Sequence, residues 1–144
     1  MNREAFYTGE CFHRVAADMI PDDWLSNATT DDGFWFIPFV VNMAFACELY
    51  LKALISNGER VWGHEWGTLF KQLTPEDKQS ILKTPCFKGD PNFELKLKEN
   101  EKAFKEWRYH FEPDKSISVD IVFLENFAIT LHDLVAKKLD EPIH

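Results

Sequence analysis

Two charged residues interrupt the most apolar run of the chain. The run FWFIPFVVNMAFACELYLKALI, residues 34 to 55, carries Glu48 and Lys52. They stand one helical turn apart with the acid first, the favourable order for an ion pair. Two readings follow from that spacing. In one, the pair is solvated on the single exposed stripe of an otherwise buried helix. In the other, it belongs to a polar network inside the fold, which needs opposite charges from other helices. Arg108 and Glu112 are the natural suppliers, set in the aromatic segment Trp107-Arg108-Tyr109-His110-Phe111-Glu112. Facing stripes would let Glu48 meet Arg108 and Lys52 meet Glu112, with His64 nearby. A guanidinium fork binds carboxylates and phosphates through two parallel hydrogen bonds and stays charged when buried. A site built on Arg108 would therefore suit a phosphate or a nucleotide.

Other chemistry finds little support. His64-Glu65-Trp66-Gly67-Thr68 begins like a zinc-protease helix but lacks the second histidine that holds the metal. His13, His110, His132 and His144 show no ligand spacing, so neither a metal nor a cofactor is expected. There is no phosphate-binding GxxxxGK[ST], no GxGxxG and no GxSxG. A net charge of −8 argues against coating nucleic acid through a general field, and leaves a local basic groove open. Cys11, Cys47 and Cys86 are odd in number and form no CxxC, which predicts reduced thiols in a cytoplasmic protein. The first residues, MNREAFYTGE, lack the apolar region of a secretion signal. Asn42, Glu48 and Lys52 argue against a membrane span over the central run.

The elements that must position these residues are all helices. The length of 144 residues predicts one domain, residues 1–144, with a core rich in its 13 Phe and 5 Trp. A first helix is expected over about 4–19, with Phe6, Cys11 or Phe12, Val15 and Met19 as its apolar stripe and Pro21 beyond its end. A polar, acidic loop around Trp24 follows. The central helix comes next, with Pro38 in its first turn and Ser56-Asn57-Gly58 as its stop. A short helix is expected from about Trp66 to Leu73. Thr74-Pro75-Glu76-Asp77 then starts another, with Thr74 as cap and Pro75 in the first position. A long helix over about 92–111 pairs an apolar stripe of Phe93, Leu97, Phe104, Trp107 and Phe111 with a charged one of Glu101, Lys105, Arg108 and Glu112. Pro113 stops it. The last helix, about 119–139, buries Ile121, Leu124, Ala128, Leu131 and Val135. The expected fold is all-α, an up-and-down bundle of four main helices plus short ones.

Three segments together resemble the HEPN superfamily, the higher eukaryotes and prokaryotes nucleotide-binding domains. They are Ala46-Cys47-Glu48-Leu49-Tyr50-Leu51-Lys52-Ala53-Leu54-Ile55, then Gly63-His64 before Leu69-Phe70 and Leu73, then Arg108-Tyr109-x-Phe111-Glu112 ahead of the final apolar helix. The resemblance covers roughly residues 36 to 139. It implies a helical bundle that forms a homodimer. Many members are metal-independent ribonucleases of toxin–antitoxin and phage-defence systems, and others bind nucleotides or have lost activity.

Active members carry an arginine, four to six further residues, and then a histidine. The histidine acts as acid or base on the ribose 2′-hydroxyl, and the arginine stabilises phosphate charge. Here the positions that would hold the histidine after Arg108 are Pro113, Asp114 and Lys115. The resemblance therefore points first to a non-catalytic, dimerising module. It would bind a nucleotide, RNA or a protein partner such as a nucleotidyltransferase antitoxin. The site set it implies is Glu48, Lys52, His64, Arg108, Tyr109 and Glu112. A ribonuclease with a variant site is the second possibility, with Arg108 for phosphate and His64 or His110 as acid or base. A structural interaction protein held by a buried ion network is the third.

Overall fold

The computed structural model describes residues 1–20, 35–55, 63–107 and 120–140, the side chains of 102–104, 106 and 107 aside. Six helices occur among them: α1 (Arg3–Met19), α2 (Phe36–Ile55), α3 (Trp66–Lys71), α4 (Pro75–Leu82), α5 (Phe93–Trp107) and α6 (Ile121–Asp140). No strand occurs among the described residues. The fold is all-α, as the helical periodicity predicts.

The helix starts are fixed by side chains that satisfy otherwise unpaired backbone N–H groups. Asn2 Oδ1 accepts from the Ala5 N–H at the head of α1. Thr74 Oγ1 accepts from the Asp77 N–H, and Pro75 occupies the first position of α4, as its sequence predicts. Asp120 Oδ1 accepts from the Phe123 N–H at the start of α6. The Asp120 N–H in turn donates to Asn100 Oδ1, whose own amide donates to the Lys96 carbonyl. Asn100 is thereby satisfied although buried, and it ties α5 to α6.

α2 is the central element and touches α1, α3, α5 and α6. It is long and apolar enough to cross a membrane, yet its apolar side chains form the middle of the core. Phe39, Val40, Met43, Ala44, Cys47, Tyr50, Leu51 and Ala53 are fully buried. The Asn2 N–H donates to the Ala53 carbonyl at one end of the α1–α2 contact. Phe12 meets Phe45 edge-on, with ring centroids 4.7 Å apart, farther along. The two helices therefore run antiparallel.

Gly9 allows this close approach, because a Cβ there would lie 2.8 Å from Tyr50 Cε1. The predicted stripe on α1 holds at Phe6, Phe12 and Met19 and is corrected at Val15. Phe6, Gly9 and Ala16 are buried, whereas Val15 is half-exposed and Cys11 exposed. The backbone of α1 comes closest to α2 at Gly9, whereas Val15 stands half out in solvent.

A second aromatic layer joins the other elements. Phe70, Phe87, Phe93, Phe123 and Phe127 pack with ring centroids 5.1 to 6.4 Å apart, and Trp66 lies against Phe127. Each such buried side chain stabilises the fold by about 1.5–3 kcal/mol of transfer free energy. The predicted inner face of α6 is buried throughout: Ile121, Leu124, Ala128, Leu131 and Val135.

Candidate functional site

Burial separates Glu48 from Lys52. Glu48 is 3% exposed, while Lys52, one turn on, reaches the edge of the fold. The expected ion pair between them does not form. Glu48 Oε1 lies 2.7 Å from His64 Nδ1, and Lys52 Nζ lies 3.3 Å from the same nitrogen. The solvated-pair reading fails because the apolar face of α2 is wide enough to take Glu48 inside. His64 sits two residues before α3, where Gly63 has a φ of 96°, a conformation that suits glycine. α3 is anchored by buried Trp66, Leu69 and Phe70. That anchoring holds the preceding residues over α2.

The partner of Nδ1 decides which ring nitrogen carries the hydrogen. An ionised carboxylate only accepts, so Nδ1 carries the hydrogen and donates it to Glu48. An ammonium only donates, so Lys52 is a neighbouring charge and not a second hydrogen-bond partner. In the neutral form of the ring, Nε2 then keeps its lone pair. The His64 side chain is 76% exposed, so the ring is open to solutes.

These residues line a groove of about 630 Å³ with Phe45, Leu49, Gly63, Glu65, Thr68 and Lys105. Phe45 and Leu49 form its apolar wall on α2. Lys105, from α5, pairs with Glu65 at 3.1 Å and lies 3.8 Å from Glu101. Lys52 has no carboxylate within ion-pairing distance among the described residues. Behind the groove, burial pushes the Glu101 carboxyl above the usual carboxylate range. Lys105 and the backbone N–H groups of Trp66 and Gly67 oppose that shift. Among the described residues no three His, Cys, Asp or Glu side chains stand close enough together to hold a metal.

Of the site residues that the sequence singles out, Glu48, Lys52 and His64 come together. Arg108, Tyr109, His110 and Glu112 lie outside the described residues, as do the expected contacts of Glu48 with Arg108 and of Lys52 with Glu112. The sequence reading places Lys105 on a charged stripe and leaves Phe45 and Thr68 unmarked. Only the crossing of α2, α3 and α5 gathers them.

A second polar cluster lies on the other side of α2 and has no local sequence signature. His13 Nδ1 is 3.0 Å from the Tyr50 hydroxyl. His132 has Nε2 3.0 Å from Glu10 Oε1 and Nδ1 3.0 Å from Asp133 Oδ1. Three helices contribute, at separations that no short spacing rule detects.

Comparisons of this chain with family models, with curated proteins and with solved structures give no match.

Proposed function

We propose that this chain is a HEPN-like module, an up-and-down bundle of four main helices that dimerises and binds a phosphate-bearing ligand, a nucleotide or RNA, in the groove beside His64. The observation that carries the reading is Lys52. Its ammonium stands at the groove with no carboxylate partner among the described residues, beside an exposed imidazole. An anionic ligand would supply the missing charge. The groove volume falls within the range of small-ligand pockets, about 300–1,000 Å³. Phe45 and Leu49 offer a flat apolar surface to a base or sugar. Acting in the cytoplasm within a toxin–antitoxin or phage-defence system, and pairing with a nucleotidyltransferase antitoxin, belong to the same reading. They rest on the resemblance of the three segments alone.

Binding of a 5′-labelled short RNA and of AMP, measured by anisotropy and calorimetry, tests it. Lys52→Ala should weaken binding roughly tenfold, the loss of one charge-assisted contact. Unchanged affinity in that variant would remove the groove from the account. Sedimentation at micromolar concentration tests the dimer, and a clean monomer would refute it.

One observation favours a second reading, a metal-independent ribonuclease. Glu48 engages the His64 ring at Nδ1, which leaves Nε2 outside that contact in a ring that lines the groove, as a general acid or base requires. In that case RNA cleavage should persist in a chelator and be lost in His64→Ala without loss of RNA binding.

A further inference from the structure

We propose that His13 is an acid-sensitive latch that holds α1 against the turn of α2 whose other side walls the groove. Phe12 packs on Phe45, and Gly9 sits beneath Leu49 and Tyr50. Phe45 and Leu49 are also the apolar wall of the groove. One turn of α2 is therefore shared between α1 and the groove. Whatever moves α1 removes the backing of that wall.

The latch is the contact between His13 and the Tyr50 hydroxyl. Tyr50 is fully buried, and its ring meets His13, His132 and Phe6. With His13 neutral, the Tyr50 hydroxyl donates to Nδ1 and both groups are satisfied. Protonation places a hydrogen on Nδ1, which must then donate to the phenol oxygen. The phenol hydrogen is left with no acceptor among the described residues, and an unsatisfied buried donor is costly.

The surrounding charges add to the effect. From α1 the cluster is faced by Glu10 and Arg14, from α2 by Cys47 and Tyr50, and from α6 by His132 and Asp133. His132 donates to both Glu10 and Asp133 only as imidazolium, because a neutral ring has one N–H. Its ring centroid is 5.9 Å from that of His13. When His132 carries its proton, a proton on His13 creates two adjacent cations in a half-buried seam. Burial first, and then the His132 charge, hold the His13 pKa below the usual imidazole value. Glu10 and Asp133 partly oppose this.

The sign follows. Between the ordinary histidine pKa and the lower folded value, the released state of α1 binds more protons than the docked state. Docking is therefore at full strength above that window and weakens as pH falls through it. Burial and chemistry make the Tyr50 phenol a constant partner, since its own pKa is raised above the ordinary tyrosine value, mainly by burial.

The latch stands on the contacts of α1. Its effect on ligand binding rests on the groove reading above. The test is native-state hydrogen exchange at pH 7.5 and pH 5.5, corrected for intrinsic rates. The wild type and His13→Gln are compared, and the His13 imidazole resonance of the wild type is followed by NMR. The opening of α1 amides should rise severalfold at pH 5.5 in the wild type while α6 amides do not. The rise should begin below the ordinary histidine pKa, level off through the His13 midpoint seen by NMR, and be absent in His13→Gln.

An α1 response that persists in His13→Gln, or one that α6 shares equally, overturns the latch. So does a His13 titration whose midpoint is not below the ordinary imidazole value, a readout that remains if the variant fails to fold. AMP binding measured at the same two pH values separates the two proposals. A working latch with no AMP binding at either pH sinks the groove reading and leaves the latch intact.

Discussion

Gly9→Ala and Gly67→Ala are the same chemical change on two helices, and the structure assigns them opposite signs. A mid-helix glycine costs about 1 kcal/mol relative to alanine, a gain carried in full at Gly9 inside α1 and in part at Gly67 in the first turn of α3. At Gly67 a new Cβ has no atom within 4 Å among the described residues, and the gain is kept. At Gly9 the new methyl would stand 2.8 and 2.9 Å from Tyr50 ring carbons and 3.3 Å from Leu49 Cβ. Carbon atoms pack at about 3.5–4.0 Å, so α1 or the ring must retreat by close to 1 Å. The ring is fully buried and held at its hydroxyl by His13, so retreat falls to the helix. Overpacking of this kind costs about 1–3 kcal/mol, which leaves a net loss of about 1 kcal/mol after the propensity gain. The two variants should thus differ by about 1–2 kcal/mol. Near the transition that is roughly 3–6 °C in Tm for a domain of this size. Urea unfolding and calorimetry measure both. A stabilised Gly9→Ala would show that α1 does not sit on Tyr50, and would refute the packing of α1 against α2.

Three further outcomes follow from buried charge. Lys138 Nζ lies 2.7 Å from Asp77 Oδ2, whose side chain is 5% exposed. Lys138→Ala should cost about 2–3 kcal/mol in urea unfolding, less than the full loss for a buried pair because the lysine is partly exposed. His64→Ala should cost about 1–3 kcal/mol by leaving the Glu48 carboxylate without its partner, and Glu48→Met in that background should restore most of it. Burial raises the Glu101 pKa in the folded state, so its charge opposes folding above the ordinary carboxylate range. Glu101→Gln should therefore raise Tm at pH 7, with the advantage shrinking as pH falls through that range. A constant advantage at all pH values would contradict the assigned cause.

The helices were largely legible in the chain because their signals are local. Thr74-Pro75 starts α4, the period of Ile121, Leu124, Ala128, Leu131 and Val135 defines the inner face of α6, and the apolar run sets α2 as the central element. Each depends on neighbours within a turn or two, where backbone hydrogen bonding and side-chain direction settle the outcome. The α1 stripe was misread at Val15 because a close helix pair selects small residues, Gly9 and Ala16, over large ones. Periodicity scores the large ones.

The candidate site was legible in its residue types and not in its contacts. Glu48, Lys52 and His64 stand out by chemistry alone. The spacing of Glu48 and Lys52 forecasts an ion pair, whereas each meets His64 instead. An exposed turn-mate lost to a partner from another segment because α3, seated by Trp66, Leu69 and Phe70, lays the imidazole over a buried carboxylate. The cluster of Glu10, His13, Tyr50, His132 and Asp133 has no trace in any window of sequence. Its members converge only when α1 and α6 close on α2. Local order in this protein was written residue by residue, and the partners of its charged groups were decided by which helices came to lie across one another.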